Sequence, residues 1–171
     1  MSLTLHTSLG DLKFELAVAQ APRLCENFLA LAACGAYDGS PFHRVVRGFI
    51  AQAGDSAAGG GKGGLVGVGG APLADEALGA AGLLHDARGV LAVANQNTPD
   101  SNGAQFYVTF AEQPSLDGKC CVIGRVPRAH AASWATLDAL EAVEVRAKRF
   151  RPIADVVVRS VTIHANPLAP V

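Results

Sequence analysis

Hydrophobic and polar positions alternate with a period of two at the start of the chain. Leu3, Leu5 and Thr7 stand against Thr4 and His6; after Ser8-Leu9-Gly10-Asp11, Leu12, Phe14 and Leu16 stand against Lys13 and Glu15. Side chains point to opposite faces along a strand, so this spacing predicts a β-hairpin. The period then lengthens. Pro22 suits a first helical turn, Leu24, Phe28 and Leu31 recur at helical spacing, Cys25, Leu29 and Ala32 widen the stripe, and Gly35 is a fitting C-terminal cap. Asp38-Gly39-Ser40-Pro41 turns the chain into residues 42–55, two short β-like runs hinged at Gly48. Later strands are predicted at 89–94, 105–109, 121–126 and 155–164, and a second helix carries Trp134, Leu137 and Leu140 with Ser133 as its cap. Seven or eight short antiparallel strands with so few edges favour closure into a barrel, with the two helices plugging its ends. No linker or internal repeat divides residues 1–171, so one domain is expected.

Composition narrows the class. Half of the 171 residues are hydrophobic, 17% are charged and the net charge is −1, which fits a folded globular chain rather than a disordered one. No run of Lys or Arg appears, so no nucleic-acid partner is expected. Neither a signal peptide nor a membrane-spanning apolar stretch is present, which points to an intracellular protein, cytoplasmic or nuclear. The four cysteines lack C-x-x-C spacing and the five histidines lack a paired spacing, so free thiols and no metal are expected. The glycine-rich segment 54–70 matches G-x-G-x-x-G at Gly59, Gly61 and Gly64 by letter only. No helix pattern follows, and Gly63 after Lys62 breaks a P-loop, so a plain glycine loop is the better account.

Candidate chemistry follows from an anomaly. An unpaired charge in an apolar strand is costly, yet residues 42–55 carry Arg44 and Gln52 among Phe42, Phe49 and Ile50. No Gly-x-Ser-x-Gly nucleophile and no plausible carboxylate pair accompany them. What remains is a cation, amides and apolar surface: Arg44, Gln52, Asn95 and Gln105 with Phe49, Ile50, Tyr107 and Leu116. Such a set binds an extended peptide and aims hydrogen bonds at its backbone. From that motif alone, Arg44 could equally be a structural ion-pair residue. Phe106, on the face opposite Gln105 and Tyr107, reads as core.

Residues 42–55 (Phe-His-Arg-Val-Val-Arg-Gly-Phe-Ile-Ala-Gln-Ala-Gly-Asp), Ala92-Val93-Ala94-Asn95, Asn102-Gly103-Ala104-Gln105-Phe106-Tyr107 and Leu116-Asp117-Gly118-Lys119 occur in order. Together they resemble the cyclophilin family of peptidyl-prolyl cis-trans isomerases over essentially the whole chain. The segments 25–31 and 161–167 are most similar to its peptidyl-prolyl isomerase-like 3 (cyclophilin J) subgroup. The resemblance implies a mainly β fold, a closed eight-stranded antiparallel barrel capped by two α-helices, with no cofactor. It also implies that Arg44 donates toward the prolyl nitrogen of a twisted X-Pro bond, and that Gln52 and the Asn95 backbone fix the neighbouring peptide groups. Phe49, Ile50, Tyr107 and Leu116 form the proline pocket, and Gly61, Ala94, Gln96 and Gln105 line the groove. Four positions depart from the commonest pattern. Ile50 stands where Met is usual, a volume-conserving change expected to be mild. Tyr107 replaces a Phe and brings a hydroxyl that needs a partner. Ser115 stands where many members carry a cyclosporin-contacting Trp, so weak cyclosporin binding is expected. Cys120 stands where the pocket His usually sits, so reduced activity is expected, with a proline-peptide binding module in a larger assembly such as the spliceosome as the alternative. Proline-containing peptides or proteins are the expected partners, and the chain is expected to be a monomer.

Overall fold

The computed structural model describes residues 1–55, 67–79 and 83–164. Its strands are β1 (Ser2–Thr7), β2 (Gly10–Leu16), β3 (Arg44–Val46), β4 (Ile50–Ala53), β5 (Val90–Val93), β6 (Phe106–Thr109), β7 (Val122–Arg125) and β8 (Val158–His164), with helices α1 (Pro22–Ala33) and α2 (Ala131–Glu141). All eight strands form one curled antiparallel sheet in the order β3-β4-β6-β5-β7-β2-β1-β8. The end strands β3 and β8 share no ladder. Val45 of β3 gives its outward N–H to the Phe150 carbonyl of the loop before β8, at 2.7 Å; the segment before β3 meets the start of β8 through a Pro41–Val157 bridge and the bonds of Gly39 and Ser40 with Val158.

The inner face of the sheet carries the main core. Leu3, Leu5, Leu12, Phe14, Val45, Ala51, Val93, Phe106, Val108 and Ile123 meet there. Helix α1 adds Leu24, Phe28 and Leu31, and Phe28 meets Phe106 edge-on at 5.2 Å. The predicted cap at Gly35 is present as a left-handed residue (φ +74) in which Gly35 and Ala36 return hydrogen bonds to Ala32 and Leu31. The N-terminus of α1 has no side-chain cap of its own. Instead the distant Glu76 carboxylate accepts from the Arg23 and Leu24 N–H groups, 3.2 and 2.8 Å away, satisfying orphan donors with a negative charge where the helix dipole favours one.

Two elements differ from their sequence-based expectation. The cap of α2 is His130, whose Nδ1 accepts from Ser133 N–H; Ser133 lies inside the first turn, where its Oγ takes the Lys13 N–H at 2.7 Å and ties α2 to β2. The last strand begins at Val158 rather than at residue 155, because Val156 and Val157 bond to Phe42 and Ser8 instead of to a neighbouring strand. Gly54 is required by close packing. A Cβ there would lie 2.6 Å from the Ala104 carbonyl, and its φ is +98, so β4 passes directly over the start of β6.

Candidate active site

A sheet with one buried face needs no apolar residues on the other, yet a second, smaller cluster lies there. Ile50, Leu83, Val90, Ala92, Tyr107 and Val122 are buried on the outer face, with Phe49, Ala94, Leu116 and Cys120 partly buried around them. Strand register explains the grouping. Arg44 pairs with Gln52, Gln52 with Tyr107, Tyr107 with Ala92 and Ala92 with Val122, one rung across five strands, so all five side chains share a face.

Arg44 stands at the β3 end of this rung, half-buried, with its guanidinium 5.8 Å from the centre of the Phe49 ring. Among the described residues no ion pair engages it. The hairpin that carries it is braced at its tip. Gly48 (φ +73) gives its N–H to Glu141 Oε2 at 2.8 Å, and its carbonyl accepts from Gln113 Nε2 at 3.0 Å. Glu141 Oε1 holds Arg88 at 2.7 Å.

The amides are placed side by side. Gln52 Nε2 donates to Gln105 Oε1 at 2.9 Å, leaving by inventory the Gln52 carbonyl and the Gln105 amide group to face a peptide. Asn95 spends its side chain locally: Nδ2 donates to the Lys119 carbonyl at 2.6 Å and Oδ1 accepts from Asn97 N–H. Its backbone is therefore the part available to a ligand. Ala94 N–H donates to the Gln105 carbonyl, which fixes where that backbone lies. The loop beyond is stapled through Asp75, which takes Asn102 Nδ2 at 2.8 Å, and through the Leu73–Asn102 bridge. Gln96 is exposed, with its N–H on Ser101 Oγ. Ser115 is exposed on the short 3-10 turn Pro114–Leu116, and Leu116 reaches the apolar cluster. Gly61 lies outside the described residues. Beyond Leu116 and Cys120 a cavity of about 390 Å³ opens toward Asn95, Thr98 and Lys119.

Two residues behind the pocket escaped the sequence reading. The Tyr107 hydroxyl meets His85 Nε2 at 2.8 Å, and His85 Nδ1 meets Asp117 Oδ1 at 2.8 Å, the same oxygen that takes the His85 backbone N–H. His85 is 1% exposed. That backbone N–H holds the Asp117 carboxyl below its usual range, opposed by burial and aided by the ring, so it is an ionised acceptor at neutral pH. An acceptor-only carboxylate puts the proton on Nδ1, and in the neutral ring Nε2 then accepts from Tyr107. Burial, and next the Cys120 thiol beside it, push the Tyr107 phenol above its ordinary value, so it stays a donor. The need of Tyr107 for a partner was legible; that His85, 22 positions away, supplies it was not.

The neighbouring cysteines point apart. Cys121 is buried in the main core, where burial pushes its thiol up to about 12, while Cys120 joins the outer cluster. Both are free thiols.

A family model described as "Cyclophilin type peptidyl-prolyl cis-trans isomerase/CLD" matches residues 2–163. The chain belongs to this family. It is 46% identical to Peptidyl-prolyl cis-trans isomerase-like 3 of Gallus gallus and 45% identical to the Homo sapiens protein of that name, over 169 residues and 99% of each chain. Peptidyl-prolyl cis-trans isomerase 10 of Caenorhabditis elegans is 46% identical over the same span. Among solved structures, a Cryptosporidium parvum cyclophilin type peptidyl-prolyl cis-trans isomerase, crystallised in the presence of the dipeptide ala-pro, superposes with a TM-score of 0.87. It is 36% identical, and the match covers 97% of this chain and all of that one. The cyclophilin fold expected from the sequence is thus found, as an eight-stranded curled sheet with two helices.

Proposed function

We propose that this cyclophilin accelerates rotation about X-Pro peptide bonds with Arg44 as its principal catalytic group. The observation that carries this is the Arg44 guanidinium, free of any ion pair among the described residues, at the edge of an apolar pocket on the outer sheet face. Rotation costs ~18–20 kcal/mol because amide resonance is lost at the twisted state. A prolyl nitrogen accepts a hydrogen bond only when that resonance is gone, so a donor aimed at it binds the transition state more tightly than the ground state. A gain of about a thousandfold asks for ~4 kcal/mol, and one charged hydrogen bond supplies roughly 1.5–3 of it. Phe49, Ile50, Tyr107, Leu116 and Cys120 hold the proline ring. Gln52, Gln105 and the Asn95 backbone hold the adjoining peptide groups, beside Ala94 and Gln96.

Residues 1–171 act as one monomeric domain, and the sheet behaves as a closed barrel, supported by the Pro41–Val157 bridge and the Phe42 N–H bond to the Val156 carbonyl. No helix of the described residues is long and apolar enough to cross a membrane. Nuclear or cytoplasmic residence and partners in an assembly such as the spliceosome are part of this proposal. The exposed Ser115 offers no indole to cyclosporin, so binding is weak; sub-micromolar affinity in a calorimetric titration would contradict this. The test of function is prolyl exchange in an Ala-Pro peptide, followed by NMR beside Arg44→Ala. Equal rates would favour the binding-module alternative, to which Tyr107 and Cys120 lend support.

A further inference from the structure

The chain holds no uninterrupted basic run, but residues 146–151, Arg-Ala-Lys-Arg-Phe-Arg, gather four cations in six positions while the whole chain carries −1. They sit on a fixed turn. Arg146 N–H bonds to the Arg151 carbonyl at 2.9 Å, Phe150 N–H to the Arg146 carbonyl at 2.9 Å, and Val145 bridges Pro152. Phe150 is held at φ +53, a conformation a bulky aromatic rarely adopts, and is 39% exposed. Arg151 pairs with Asp155, but Arg146, Lys148 and Arg149 are exposed and form no ion pair among the described residues. Glu144 and Asp155 are the acidic residues on the same stretch, and the neighbouring Glu141 is occupied by Arg88 and Gly48.

The position of the loop gives these charges a use. The Phe150 carbonyl takes the N–H of Val45, next to Arg44, so the loop occupies the outer edge of β3 where a ninth strand would lie, ~4.8 Å away. In the proposed site the Asn95 backbone, beyond β5, holds one of the peptide groups adjoining the proline, and the proline lies between Tyr107 and Phe49. A peptide crossing the rung from β5 to β3 then leaves over Arg44, and at ~3.3 Å per residue its next two or three residues pass the loop.

We propose that the 146–151 loop makes the groove selective for proline peptides with acidic residues following the proline. Charge complementarity and continuity with the groove favour such a peptide over a nucleic acid. The proposal rests on the isomerase assignment and extends it to substrate class.

The test compares Ala-Ala-Pro-Glu-Glu, Ala-Ala-Pro-Ala-Ala and Ala-Ala-Pro-Lys-Lys on the full chain, by NMR exchange and by anisotropy of labelled peptides. At low salt the Glu peptide is expected to exceed the Ala peptide about fivefold in kcat/KM and in affinity, the scale of one or two exposed ion pairs. The ratio falls to about one near 1 M salt, where the screening length is ~3 Å. It also disappears in Lys148→Ala/Arg149→Ala while the Ala peptide is unchanged, and it inverts toward the Lys peptide in Lys148→Glu/Arg149→Glu. A ratio that survives in these variants, or equal loss for all three peptides, overturns the proposal. Binding of single-stranded oligouridine that is lost in the same variants, with peptide rates equal, overturns it in favour of RNA. If no peptide exchanges faster than with Arg44→Ala, the isomerase assignment fails, and the affinity ratio alone still decides the loop.

Discussion

Tyr107 shows how one atom reorganises a pocket. Its hydroxyl would be a cost on an apolar floor, but the His85–Asp117 pair behind the wall receives it. Removing it in Tyr107→Phe leaves His85 Nε2 as a buried acceptor without its donor, so we expect ~1–3 kcal/mol of lost stability in urea unfolding. Prolyl exchange should change less than about threefold, because the Arg44 hydrogen bond is untouched. A variant as stable as the parent would contradict the relay. At this scale Arg44, Gln52 and Gln105 were legible because a charge and amides in apolar strands have no cheap structural reason to exist. His85 was not, because nothing local distinguishes a histidine that pairs with a tyrosine on another strand from the four other histidines.

At the scale of elements, the β3–β4 hairpin is a short lever carrying Arg44 and Phe49, and α2 holds its tip through Glu141. Glu141→Ala frees the Gly48 N–H and removes one of the three acceptors of the Arg88 guanidinium, leaving the Phe110 carbonyl and Asp138. We expect ~1–3 kcal/mol of lost stability and a several-fold fall in kcat/KM, partly restored in Glu141→Gln, which keeps one acceptor. A loss of stability with unchanged catalysis would mean that the hairpin needs no brace. Periodicity made the strands and both helices visible, since each buries one face. It misjudged Ser133 as a cap because the sequence cannot say that its hydroxyl is taken by the N–H of Lys13 on β2. The contact of Glu141 with Gly48, across 93 positions, carries no sequence signature at all.

For the whole molecule, a pH dependence is built into the frame rather than the groove. His43 is buried, and burial lowers its pKa, aided by Arg151 and Arg44 and opposed by Asp55 and by a backbone hydrogen bond with Pro41. A histidine whose folded pKa lies below its unfolded value of ~6.5 makes the unfolded chain bind more protons, so stability is full above ~6.5 and is lost as pH falls below it. Urea midpoints should therefore drop between about pH 7.5 and 5.5, and drop less in His43→Asn; equal drops would assign the effect elsewhere. The barrel-like architecture was legible from strand number and from the four ordered motifs. The loop that occupies the β3 edge was not, because its role depends on a hydrogen bond to Val45. That the outer face of this sheet is a catalytic surface is tested most directly by prolyl exchange in an Ala-Pro peptide with the parent chain and Arg44→Ala at matched stability. We predict a fall of ~10- to 100-fold, the scale of one charged hydrogen bond. Equal exchange by the two proteins would contradict it.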